Sequence, residues 1–522
     1  MPKTRILKSF FLITIAYFFS LVINVAVQVI LAGQFGAGLE MDSYLVALTI
    51  PSFFILIFST ALSKVFTPIF IDYQVKKGQT YIWVFTSNFI NISALMLLLL
   101  LLAGEVFVKQ CVFWLAPGLS KSSYDLAVSL MRIFLPSVFF GGITTILTSL
   151  YYAHNRFLLP SLGLILNSVV ILFAVLILKN TLGIYSVAWG VFLGGVVQCI
   201  FLAPILWRRY SFSFNMKEEG LQKFSKLLFP VLIGAFFYKA IGLIEKNIAS
   251  SLSVGSISHL GYAYRIIPIL LVLASSGIST ILFPLLSKYA SLNDWVSVKK
   301  GFLSGISSLV ILISPIVIYL IVLRIEVIKL LYERGQFTAQ NTTVISSLFA
   351  YYLIALFFMV VSTVPSQIYT IMQNTKILIP IGVIETVAYL GYCFYLSKLF
   401  GLQGIAYAFA LYYLGACVIN YVVLYSRLKS ITLREICLPP FKIISTALLS
   451  GYFLNYLNVH LRPFLKSLPE VLFITIIISA SLVLYFLMMH YLHIAEIGEI
   501  KGIIFAKLKG NSSVVSPLSS ES

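Results

Sequence analysis

The chain has 522 residues, 60% hydrophobic and only 10% charged, with a net charge of +19 and a mean hydropathy of +1.01. Soluble domains carry about 25% charged residues, so this composition excludes a water-solvated globule and leaves lipid as the solvent. The basic excess does not point to nucleic acid, because the charges fall in short gaps between apolar runs and build no basic patch.

A helix that crosses the hydrocarbon core needs about 20 apolar residues, and fourteen such runs are present. The first, 7–32, follows Met-Pro-Lys-Thr-Arg. It is longer than the roughly 7–15-residue core of a signal peptide and lacks a convincing cleavage site, so it reads as a retained span. The next five are 43–71, 81–103, 126–151, 158–178 and 184–207. A basic gap follows from Arg208 to Lys226, the longest loop, with room for a short amphipathic helix. Then come 227–250, 260–287, 302–323, 344–372, 377–396, 402–425, 441–459 and 471–490.

Lys and Arg concentrate in cytoplasmic loops. With the N-terminus inside, alternate loops and both tails carry 22 basic residues, and the opposite loops carry nine. Both termini are therefore expected in the cytoplasm.

The first twelve runs repeat. Ala32 to Gly38 and Pro51 recur as Ala249 to Gly255 and Pro268, an offset of 217. Gly183 to Trp189 recurs as Gly401 to Tyr407, and Phe139-Phe140 with Tyr151 as Phe357-Phe358 with Tyr369, both at 218. Six spans separate the copies, so the halves share one orientation, a parallel repeat about an axis normal to the membrane. The expected fold is an all-α polytopic membrane protein of about 14 transmembrane helices. It comprises two six-helix lobes related by a pseudo-two-fold repeat, plus two extra C-terminal helices. The lobes cover 1–210 and 227–428, with a cytoplasmic linker at 211–226. The extra pair covers 429–492. A cytoplasmic tail covers 493–522, its Ser-rich end reading as disordered.

Ionisable groups at bilayer depth cost about 2.5–3.5 kcal/mol and mark cavities or partners. Lys64, Arg132, Lys239, Lys246 and Arg265 fall within spans, against few acids: Glu245, Glu385, and Asp42 at the mouth of span two. The cation excess suits an anion such as a phosphate or pyrophosphate. The candidate cavity set is Arg265, Lys64, Arg132, Lys239 and Asp42; Glu245, Lys246 and Glu385 are candidates for coupling or gating. Interface pairing of Glu245 and Lys246, snorkelling of Lys64, headgroup-level packing of Arg132, and a polar helix contact by Glu385 are the competing structural readings.

No phosphate loop of the G-x-x-x-x-G-K-[ST] type occurs, and the five His and five scattered Cys show no metal spacing. No catalytic loop is evident. A transporter, not an enzyme, is expected, without a cofactor. It would draw on a coupling ion, the membrane potential or the cargo's own gradient.

Phe35-Gly36-Ala37-Gly38, Asp42-Ser43-Tyr44, Pro51 and Phe66-Thr67-Pro68 resemble the opening of the MurJ/MviN lipid II flippases. Ala116-Pro117-Gly118, Pro160 with Asn167, Ala188-Trp189-Gly190-Val191, Gly194 to Gln198, Tyr262-Ala263-Tyr264-Arg265 and Tyr332 to Ala339 extend the likeness over most of the chain. The resemblance implies the multidrug/oligosaccharidyl-lipid/polysaccharide exporter fold. It implies a bacterial inner-membrane flippase for an undecaprenyl-pyrophosphate-linked peptidoglycan precursor. It places Arg265 in a cationic cavity and a lipid-facing groove at spans thirteen and fourteen. The chain departs where the family carries arginines: Leu21 and Val27 in span one, Ile55-Leu56 in span two; Gln28 also replaces an acid. A polysaccharide-unit flippase of the Wzx kind and a multidrug-type antiporter stand as alternatives. The expected partners are a lipid-linked glycan and membrane lipids, not nucleic acid, and the expected state is a monomer.

Overall fold

The structure is a computed structural model that describes residues 3–207, 209–372, 378–427, 432–465 and 468–492. Among the described residues every regular element is helical. α1 (Lys3–Phe35) and α2 (Leu39–Ala61) are followed by a π-helical turn (Leu62–Phe66) and α3 (Thr67–Leu115). α4 (Lys121–Ala153), α5 (Leu158–Leu182) and α6 (Tyr185–Leu202) complete the first copy. The second holds α7 (Glu219–Ser250), α8 (Ser256–Arg265), α9 (Ile267–Ser291), α10 (Trp295–Val322) and α11 (Arg324–Tyr332). It continues through α12 (Ala339–Val361), α13 (Thr363–Ile371), α14 (Leu378–Phe400) and α15 (Leu402–Arg427). α16 (Leu433–Leu461) and α17 (Glu470–Tyr491) lie beyond it.

Helix covers the described part of each of the fourteen apolar runs. By length and hydropathy, eleven stretches of described residues qualify as spans. One of them, Leu39–Leu115, is 77 residues long and holds two runs. It breaks at Gly78, whose φ of +81° no other residue adopts without strain.

The helix boundaries follow the sequence repeat. α4 runs 33 residues from Lys121 to Ala153, and α12 with α13 form a 33-residue stretch from Ala339 to Ile371, 218 residues later. The break at Gly78 matches the start of α10 at Trp295, 217 residues later. Gly183 and Gly401 both take left-handed φ, +53° and +56°, immediately before equivalent helices. Phe139–Phe140 and Phe357–Phe358 pack edge to face with the same geometry, 5.4 Å and 87°.

The chain forms two compact units. One holds Met1–Tyr262, Lys329–Val344 and Gly382–Ile405, so α7 groups with the first six-span set rather than opening the second. Lipid tails are as apolar as leucine, so burial from water cannot hold these helices together; close packing must. In this unit α4 packs on α2, α3 and α6, and α5 on α1 and α6. A chain of ring contacts joins the π-helical turn, α3 and α7: Phe66 lies 4.4 Å from Phe89, and Phe89 lies 4.8 Å from Phe224. Each such pair contributes about 0.5–1.5 kcal/mol.

The loop from Arg208 to Lys226 differs in part from expectation. Arg208 lies outside the described residues. α7 already begins at Glu219, so residues 219–226 of the loop are helical, with Leu221 and Phe224 buried and Lys223 exposed, while 209–218 carry no regular secondary structure. The reason is legible afterwards: Ser211-Phe212-Ser213-Phe214-Asn215-Met216 alternates with period two, the pattern of a strand rather than a helix.

The second unit holds Ala263–Ile328, Ile345–Ile381 and Ala406–Ser522. Here α16 packs along α10, and α17 along α16. Tyr319 donates to Ser450 Oγ at 3.0 Å, and Tyr485 to the Ile311 carbonyl at 3.1 Å. One end is clamped by Glu326, which is 9% exposed and accepts from Asn458 (3.0 Å) and Arg462 (3.1 Å); Arg462 also reaches Glu470 at 3.0 Å. Glu326→Gln removes the charge from this clamp and is expected to cost about 1–2 kcal/mol, allowing for the half-exposed Arg462. Thermal unfolding in detergent should show a midpoint lower by a few degrees; an unchanged midpoint would deny the clamp a structural role.

Candidate functional site

Arg265 occupies a proline kink in a membrane helix. The apolar stretch Ser256–Ser275 is long enough to cross the bilayer, yet its helix stops at Arg265 and restarts at Ile267. Pro268, at the second position of α9, dictates the stop: it has no N–H to give to the preceding turn. Ile266, between α8 and α9, keeps helical backbone angles (φ −79°, ψ −28°), so the helix is kinked rather than opened, and the half-buried Arg265 sits at the kink. Among the described residues no carboxylate bridges Arg265. Its neighbour Tyr264 is held edge-on by Tyr352 (5.5 Å) and Phe409 (5.6 Å), which fixes the register of the kink.

Lys64 lies in the π-helical turn. A π turn carries one extra residue and changes the phase of the helix. Leu62, Val65 and Phe66 remain in the aromatic core while Lys64 turns outward, exposed and unbridged by any described carboxylate. Arg132 is also exposed, with Glu105 4.0 Å away on α3. Lys239 stands on α7, but its side chain lies outside the described residues.

Asp42, expected among the cavity residues, is instead committed to another helix. It is 4% exposed on the first turn of α2. Its carboxylate accepts from the backbone N–H of Gly255 (2.6 Å) and of Ser258 (2.7 Å). These are orphan donors at the start of α8, where the helix dipole also favours a negative charge. Buried and engaged in this way, the carboxylate faces the start of α8 rather than a cavity. Gly255, at φ +90°, brings its backbone against the Ala37 carbonyl; a Cβ there would sit 2.7 Å from it. Tyr262 donates to the Gly36 carbonyl at 3.0 Å, and the Gln336 N–H to that of Gly33 at 2.9 Å. Tyr262 also packs on Tyr332 (5.0 Å) and Phe337 (5.5 Å). The segments after α1, after α7 and after α11 are thus tied in one knot.

Glu245 and Lys246, on the last turns of α7, are engaged rather than free. Glu245 accepts from Tyr389 at 2.9 Å, and Lys246 donates to Thr49. Glu385 lies one turn before Tyr389 on α14, 9% exposed, its Oε1 without a described partner. Tyr389 and Thr49 escape a sequence reading because neither is charged, although Tyr389 stands four residues from Glu385, on one helix face.

An apolar groove of the second unit is lined by Val317 and Ile318 of α10, Ile354 and Phe357 of α12, and Leu448 of α16. α16, the thirteenth expected span, supplies one wall.

The family model of the lipid II flippase MurJ matches residues 31–487. A probable lipid II flippase MurJ of Buchnera aphidicola subsp. Baizongia pistaciae is 29% identical over 92% of this chain and 91% of its own. One from Buchnera aphidicola subsp. Schizaphis graminum is 32% identical over 64% and 66%. The lipid II flippase MurJ of Burkholderia cenocepacia is 25% identical over 78% and 81%. Among solved structures, a lipid II flippase MurJ in an inward closed conformation superposes with a TM-score of 0.78 at 23% identity, covering 92% of this chain and 99% of that one. An inward-facing multidrug resistance MATE family transporter of the MOP superfamily gives 0.65 at 15% identity, over 79% and 95%. At these identities the structural likeness concerns the fold.

Proposed function

This chain belongs to the MurJ family of lipid II flippases, and from that premise we propose how its own residues move the cargo. It is a multi-pass transporter of the bacterial inner membrane and not an enzyme. It translocates the lipid-linked peptidoglycan precursor lipid II. The reading includes fourteen crossings with both termini in the cytoplasm, and a monomer as the working unit.

The pyrophosphate is the part of such a cargo that resists the bilayer, since a bare anion there costs several kcal/mol. Arg265 at the proline kink of span eight is the observation that carries the mechanism. A guanidinium offers a rigid fork that matches phosphate oxygens two at a time. Lys64, Arg132 and Lys239 are proposed as further cations along the path, supplying charge where the family's arginines are missing. The isoprenoid tail stays in lipid, along the groove beside α16. Binding at Arg265 and release of the Asp42 knot are the two local events that translocation needs.

Complementation of a bacterium depleted of its lipid II flippase tests the cargo. Rescue supports lipid II. Failure, with restored surface polysaccharide in a strain lacking a polysaccharide-unit flippase, would favour that alternative.

Coupling is proposed at Glu245 of α7 and the buried Glu385 of α14. Glu385 lacks a described partner in a place where an ionised carboxylate is costly, so it suits uptake of a proton or cation during the cycle. Glu385→Gln is expected to slow translocation about tenfold under an imposed ion gradient while leaving cargo binding within about twofold. Loss of binding with no change in the gradient response would assign Glu385 to packing instead.

A further inference from the structure

Between α6 and α7, residues 209–218 form a ribbon without regular secondary structure that is fixed along α3. The Ser211 N–H donates to Ser87 Oγ (3.1 Å), and the Ser213 carbonyl accepts from Asn91 Nδ2 (2.8 Å). Asn88 binds both faces of one peptide residue: its Oδ1 accepts from the Asn215 N–H (2.6 Å), and its Nδ2 donates to the Asn215 carbonyl (2.7 Å). Nδ2 also reaches Glu218 at 2.7 Å, and Tyr210 donates to Asn91 Oδ1 at 2.6 Å. Asn88 is 1% exposed.

The ribbon lies against residues of the third apolar run. Non-helical backbone at that depth survives only if its polar groups are satisfied within the protein. Ser87, Asn88 and Asn91 do this, much as a neighbouring strand would. Alternation then decides the rest. Residues 211, 213 and 215 give their backbone to α3, while the side chains of Phe212 (82% exposed), Phe214 (47%) and Met216 (62%) project outward. Trp207, at the end of the preceding span, is 74% exposed. Beside this apolar row stand Arg209, whose guanidinium lies 4.9 Å over the Trp83 ring, and exposed Lys217, neither bridged by a described carboxylate.

We propose that the Arg209–Met216 ribbon, with Trp207 beside it, is seated in the headgroup–acyl boundary of one leaflet and binds anionic phospholipid there. Aromatic and methionine side chains on a backbone already satisfied by α3 suit the boundary, where ring and chain enter lipid. The two unbridged cations complement acidic headgroups. This proposal rests only on the chain's place in a membrane.

The test uses the full chain in nanodiscs of phosphatidylcholine, alone or mixed with phosphatidylglycerol, with a trace phospholipid carrying a photoactivatable diazirine high on its acyl chain. Adducts are mapped by mass spectrometry. Labelling of Phe212, Phe214 and Met216 is expected, rising about fivefold to tenfold with the acidic lipid. Arg209→Gln with Lys217→Gln should keep the adducts and lose that rise. A ribbon free of adducts, while the exposed apolar faces of α5 and α17 are labelled, would overturn the proposal. Equal labelling in both lipid mixtures would overturn its anionic part. The lipid comparison needs no substitution, so misfolding of a variant does not weaken it.

Discussion

Arg265→Ala is expected to abolish rescue of a flippase-depleted bacterium, while the protein reaches the membrane in normal amount. The two halves of that outcome have one cause. A charge-assisted hydrogen bond contributes about 1.5–3 kcal/mol, so losing a two-pronged contact to the pyrophosphate weakens cargo binding by roughly 100-fold or more. An arginine at bilayer depth meanwhile costs about 2.5–3.5 kcal/mol. No described carboxylate offsets that cost. Its removal should therefore leave thermal stability equal or higher. A packing residue would behave oppositely, losing stability and function together. Arg265→Lys keeps the charge and loses the fork, so partial rescue is expected. Full rescue by the alanine variant would remove Arg265 from the cargo path.

Comparison of residues shows what the sequence could carry. Apolar runs, the repeat at 217–218 and Pro268 fixed the helices, because each depends on local composition or on a residue whose backbone has one outcome. Arg265 was legible for the same reason: a lone cation beside a proline in an apolar run. Asp42 was misread. Its charge suggested a cavity, but its use depends on Gly255 and Ser258, more than 200 residues away, and on their backbone amides. Side-chain identity says nothing about which amides are orphaned. Lys64 was visible, but the π turn that turns it outward was not. The ribbon at 209–218 was missed because basic loops after spans suggest surface helices, while its period-two alternation is only six residues long. The asparagines that fix it lie on α3, within a run that reads as an ordinary span.

Asp42→Ala is expected to loosen the knot at the start of α8 and to impair translocation without removing cargo binding. The carboxylate satisfies two buried amides and sits at the positive end of a helix. Removing it forfeits two charge-assisted bonds and leaves both donors without a partner, a local cost of about 3–5 kcal/mol. Asp42→Asn should be milder, about 1.5–3 kcal/mol. The amide keeps one acceptor oxygen, and its NH2 then faces an N–H. Hydrogen exchange at Gly255 and Ser258 reads this directly, because the amides exchange only when the knot opens. Acceleration by about 100-fold or more for alanine, and by about 10- to 100-fold for asparagine, corresponds to those energies. Exchange at Asn88 and Asn215, outside the knot, should not change. A membrane transporter needs this knot to open and reclose, so a shift of that size leaves it open for most of the cycle. Translocation should then fall while binding at Arg265 persists, the reverse of the Arg265→Ala pattern. If Gly255 and Ser258 exchange at the same rate with aspartate, asparagine or alanine at position 42, the carboxylate does not hold α8 and the knot has no gating role.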